Sequence, residues 1–185
     1  MKKVENKAKD AAQTVRLHFK LHKKSKQSLQ EILQLKEELE SALDNVKIIP
    51  KDNKNWNLLF TKYKDFKKDA EGDKIEKEFE EFYQKANEFV DNNDYDGYLA
   101  HMKEDSKKKE NSIFIRMGDV SEKYMKSGIK YIINQGKEGF IPEGVDGTYY
   151  LDAADKIIEK YQKAIEHQSE MLNKARSILK IKQGK

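Results

Sequence analysis

The chain has 185 residues, of which 38% are charged and 37% hydrophobic, and its formal net charge is only +4. With a mean hydropathy of −0.97 and no cysteine, it excludes disulfides, thiolate catalysis and Cys-ligated zinc. No window approaches the ~18 apolar residues of a membrane span. Lys2 and Lys3 are followed by no apolar signal-peptide core, so a cytoplasmic protein is expected. High charge with low hydropathy can signal disorder. Here eight Phe, nine Tyr and one Trp fall at helical spacing while Gly and Pro are scarce, so ordered helices are expected instead.

The charge is unevenly placed. Residues 1–36 hold ten Lys and Arg against Glu5, Asp10 and Glu31. The remainder of the chain is therefore slightly acidic. Such asymmetry suits either an anionic partner for the N-terminal segment or a solvated lysine-rich face.

In chain order, the first element is a heptad ladder, Val4, Ala8, Ala11, Val15, His18, His22, Ser25, Leu29, Ile32, Lys36, Leu39, Leu43, Val46. Steps of four and three place one column on one face of a helix. A helix over residues 3–47 is predicted. Either it breaks at Leu21–Gln27, where the column turns polar, or it runs on in an elongated bundle, the favoured reading because no Gly or Pro interrupts it before Pro50. After a turn at 51–55, a second helix carries Trp56, Leu59, Tyr63, Phe66 and Ala70 and is expected to stop at Gly72. Asp73 with Glu76 reads as a capping box opening a third helix on Ile75, Phe79, Phe82, Ala86 and Phe89.

Asp91–Gly97 is the next predicted turn. A fourth stripe runs from Leu99 to Tyr131, with a polar middle over 103–112 that reads as exposed helix or short loop. Four of the nine glycines crowd into 136–147, the expected long irregular loop. A last helix runs from about Tyr149 to Ile181 on Leu151, Ala154, Ile158, Tyr161, Ile165, Leu172, Ala175 and Leu179. No strand-like alternation competes. The predicted fold is all-α: one domain over 1–185, an elongated antiparallel bundle of about five helices whose long first, fourth and last members share a core. Tyr83, Ala86 and Asn87, then Asp94, Tyr95 and Leu99, resemble a single tetratricopeptide hairpin; no second copy follows.

Chemistry-bearing motifs are few. His18 and His22 sit one turn apart, a chelating spacing, but position 19 is Phe and Lys20, Lys23 and Lys24 repel a cation. A polar layer in the helix seam is the better reading. Neither His101 nor His167 has Glu three residues before it, which removes a di-iron site. Asn92, Asp94, Asp96 and Gly97 resemble a calcium loop whose twelfth position, Lys103, should be Glu. The glycine-rich loop has neither GxxxxGK[ST] nor GxGxxG. No metal or cofactor is expected.

Two candidate surfaces remain. Arg16, Lys20, Lys23, Lys24 and Lys26 form a basic patch able to track phosphates. Phe140, Ile141, Tyr149 and Tyr150 flank Pro142 and either anchor a protein partner or cap the core. The expectation is a non-enzymatic interaction protein that binds a protein partner through long helix faces and the 136–150 loop, with nucleic-acid binding by the basic helix as the alternative. Polar members of the ladder, His18, His22, Ser25 and Lys36, imply that another helix or subunit completes the seam, which makes self-association a further expectation.

Overall fold

The computed structural model describes residues 2–183. The fold is all-α, with six helices among the described residues: α1 (Lys2–Asn45), α2 (Trp56–Phe66), α3 (Ala70–Asp91), α4 (Tyr95–Ser106), α5 (Ile113–Glu138) and α6 (Gly147–Gln183). Two three-residue strands, β1 (Lys47–Ile49) and β2 (Phe140–Pro142), accompany them. No helix among the described residues is long and apolar enough to cross a membrane.

Two compact units result. The first joins residues 1–45 to 146–185, and the second is 46–145. In the first, α1 runs unbroken for 44 residues, about 66 Å at ~1.5 Å per residue. It lies antiparallel to α6. Leu43 packs where a Cβ on Gly147 would overlap it, Lys36 bridges Asp155, and Ser25 bonds Gln168. Ala8, Ala11, Ser25, Ile32 and Leu39 of the ladder are buried in this seam. Against them α6 buries Tyr150, Ala153, Ala154, Ile157, Gln168, Leu172 and Ala175.

The second unit packs α2–α5. Ile75, Ile113 and Val120 form its centre, with Phe79, Phe82, Met117 and Tyr124 around them. A separate aromatic stack joins α2 to α5: Trp56 lies on Phe60 with centroids 4.7 Å apart, and Tyr63 meets Tyr131 at 5.2 Å. The ladder is parallel, with Lys47 opposite Phe140, Ile48 opposite Ile141 and Ile49 opposite Pro142. Parallel pairing needs a long crossover, here the whole of α2–α5. Beyond the strands, Trp56 Nε1 donates to the Glu143 carbonyl at 2.8 Å, and Lys51 N donates to the Glu143 carboxylate at 2.9 Å.

Several expectations are corrected. Gly72 does not end a helix; it is buried inside α3, where a Cβ would overlap Tyr124 and Val120. The break falls at 67–69 instead, because Asp69 caps α3 by accepting from Glu71 N. Asp73 therefore belongs to the first turn rather than to a capping box. The turn after α3 shrinks to 92–94, with Asp94 accepting from Gly97 N at 2.9 Å. The long fourth helix divides in two, which raises the helix number from five to six, and α5 packs in the second unit. The glycine-rich segment is largely ordered. Its first residues extend α5, Gly139 closes that helix in the left-handed region (φ 87°), and Phe140–Pro142 pair as β2.

Asp105 divides the fourth stripe. It is 4% exposed, and its carboxylate accepts from Ser112 Oγ at 2.6 Å and from Ile113 N at 3.0 Å. A side chain from the end of α4 thus satisfies the first orphan donor of α5. We expect Asp105→Ala to lower the unfolding free energy by about 2–4 kcal/mol in urea titrations, since it strips a buried, charge-assisted cap. A loss below about 0.5 kcal/mol, the size of an ordinary surface substitution, would show that the α4–α5 corner does not depend on it.

Tyr131 donates its hydroxyl to the Leu59 carbonyl at 3.0 Å. Burial, aided by Glu138 and Tyr63, pushes its pKa up to about 12. Because the folded value lies above the unfolded one, its contribution is complete below pH ~10 and is lost as the pH rises through the folded pKa. Stability should fall across that alkaline window, and Tyr131→Phe should flatten that fall when melting temperature is followed against pH.

Candidate functional site

The ladder breaks into three stretches along the α1/α6 seam. Near the 45/146 end it is apolar and tight, with Ile32, Leu39 and Ala154 fully enclosed. Lys36 spans the seam to Asp155 and also approaches Glu40 at 3.8 Å. The Asp155 carboxylate, opposed by slight desolvation, raises the Lys36 ammonium above the usual lysine range.

The middle stretch is polar. Gln168 Nε2 donates to Ser25 Oγ at 3.1 Å, both residues being buried. Ser169 Oγ and His22 Nε2 share a hydrogen bond of 3.2 Å. His18 meets His167 edge-on, with ring centroids 6.1 Å apart. His18 Nδ1 and Gln168 Oε1 have no hydrogen-bond partner among the described residues. The seam partner that the polar ladder positions called for is therefore α6 itself. Among the described residues no group of three or more His, Asp or Glu is placed to hold a metal ion.

Toward residues 4 and 178 the seam opens. Small side chains at Ala8, Ala11 and Ala175 leave a groove of about 670 Å³. Val4, Met171 and Ile178 line it with them, and Lys7, Asp10 and Lys174 stand on its rim. Val4 is 61% exposed and Ile178 43%. The groove is apolar inside and predominantly cationic at its edge.

The basic patch lies on the same helix. Arg16, Lys20, Lys23, Lys24 and Lys26 are all exposed. Arg16, Lys20 and Lys23 follow steps of four and three on the side of α1 away from the seam. Among the described residues, none of these five is ion-paired, whereas Lys36, Lys68, Lys123 and Lys163 each hold a carboxylate.

The aromatic positions separate. Ile141 and Tyr150 are each 2% exposed, while Phe140 is 46% and Tyr149 53% exposed. Phe140 and Ile141 belong to β2 in the second unit, and Tyr149 and Tyr150 to the first turn of α6 in the other. Successive strand residues point to opposite faces, and successive helical residues differ by about 100°. Each pair therefore supplies one core residue and one surface ring. His101 stacks on Phe82 at 4.2 Å and bonds the Phe82 carbonyl at 3.1 Å. The groove escaped sequence reasoning, although small residues at ladder positions 8 and 11 and at position 175 of the α6 stripe were its signal.

No known protein family, curated protein or solved structure matches this chain.

The polar layer costs stability where its acceptors go unmet. Replacing both partners of a buried hydrogen bond with apolar groups is neutral to favourable, whereas an unsatisfied acceptor costs about 1–3 kcal/mol. We expect Ser25→Ala with Gln168→Leu to raise the unfolding free energy by about 1–2 kcal/mol. A clear decrease in the same denaturation experiment would mean that the layer stabilises the seam.

Proposed function

We propose that this chain is a non-enzymatic, cytoplasmic helical interaction protein, and that the groove between α1 and α6 near Val4 and Ile178 receives an acidic amphipathic helix from a protein partner. The groove itself supports this reading most strongly. An apolar floor with lysines on its rim suits a helix that lays down an apolar face and carries carboxylates at its edges. Phe140, in the second unit, and Tyr149, in the first turn of α6, are exposed rings outside the groove, each a separate aromatic surface. The alternative, nucleic-acid binding, draws on the exposed basic patch Arg16, Lys20, Lys23, Lys24 and Lys26. Its affinity would fall steeply with salt.

Val4 and Ile178 are exposed, so Val4→Glu with Ile178→Glu should spoil the groove without unfolding the protein. The measurement is affinity capture from nuclease-treated host lysate, comparing the native protein with this double variant at equal helical content. A stoichiometric protein held by the native chain and lost from the variant is the expected result. Identical capture by both, or capture that disappears with nuclease, would refute the groove reading, and the second of these would favour the basic patch.

A further inference from the structure

A second strip runs along α1 beside the seam, one position earlier at each step: Leu17, Leu21, Lys24, Ser28, Glu31 and Leu35. It keeps the same four-and-three spacing, so it stays on one flank of the helix. Leu17 is 55% and Leu21 38% exposed, too much apolar surface for α6 alone to cover. Its charges are ordered: away from Ser28, the strip reads Lys24 then Leu21 in one direction, and Glu31 then Leu35 in the other. All of α1 shares this polarity. Residues 2–26 carry nine Lys and Arg against two acids, and residues 27–45 carry five acids against one lysine.

We infer that this strip is an interface between two copies of the chain, with their α1 helices antiparallel and crossing near Ser28. A two-fold rotation there sets Lys24 of each copy against Glu31 of the other, and Leu21 against Leu35. The strip is self-complementary in this orientation, as an isologous contact requires. A parallel alignment would oppose Lys24 to Lys24 and Glu31 to Glu31, and like charges in register disfavour it. Ser28 is small enough at the crossing point for the helices to approach. This contact uses residues 21–35 rather than the groove, so it stands or falls independently of the proposed partner.

Light scattering and sedimentation across a concentration series, on nuclease-treated protein, test the inference. The expected mass rises toward twice the 21.7 kDa of one chain. Lys24→Glu alone and Glu31→Lys alone should each weaken association on the order of tenfold, and the double exchange K24E/E31K should restore it. Leu21→Glu should give monomers of unchanged helical content. A monomer at every concentration would overturn the inference. So would a double exchange no better than either single change, or association that is found only before nuclease treatment.

Discussion

The structure depends on closing one long-range contact. α1 and α6 are separated by about 100 residues of chain, yet their ends must meet for the seam to zip. The intervening unit therefore has to begin and end at one place. The parallel β1/β2 ladder meets this requirement within the second unit, through Lys47 N donating to the Gly139 carbonyl and Glu143 N to the Ile49 carbonyl, both at 2.8 Å. In the first unit, Gly147 lets the Leu43 side chain close against the start of α6. The entropy of closing so long a loop grows only slowly with its length. Once it is met, each further layer of the seam adds contacts without a new closure.

A two-helix seam has little depth, so its composition decides how each stretch behaves. Enclosed Ile32, Leu39 and Ala154 hold the closed end. The middle layer of His18, His22, Ser25, Gln168 and Ser169 sacrifices apolar burial for hydrogen bonds that are only partly completed. Polar layers of this kind fix register, because sliding one helix would bury each group without its partner. The open end, with alanines facing one another, is left apolar and unfilled. Stability and alignment thus fall to successive stretches of the same ladder, and the open stretch is the one proposed for recognition.

Much of the fold was legible in the sequence. The Val4–Val46 ladder and the α6 stripe are periodic over many turns, and both formed long helices. Periodicity could not say which helices pair, and α5 accordingly went with α3 rather than with α1. Where the fourth stripe breaks was also hidden: the polar run 103–112 suits helix or loop equally, and the buried Asp105 carboxylate decides it through contacts seven and eight residues away. Gly72 looked like a stop but serves close packing against Tyr124. Three-residue strands are too short to show alternation. At the candidate site the His18–His22–Ser25 column was visible in α1, while its partners Gln168 and Ser169 lie more than 140 residues on in sequence.

The claim that α1 is held by α6 along the seam is tested most directly by native-state amide hydrogen exchange, resolved by residue. The account predicts matched protection across the pair. Ile32 and Leu39 should exchange as slowly as Ala154 and Ile157, and both helices should lose protection together toward Val4 and Ile178. If α6 stayed protected while α1 exchanged throughout at the rate of an isolated helix, the seam would not be the contact that organises this unit.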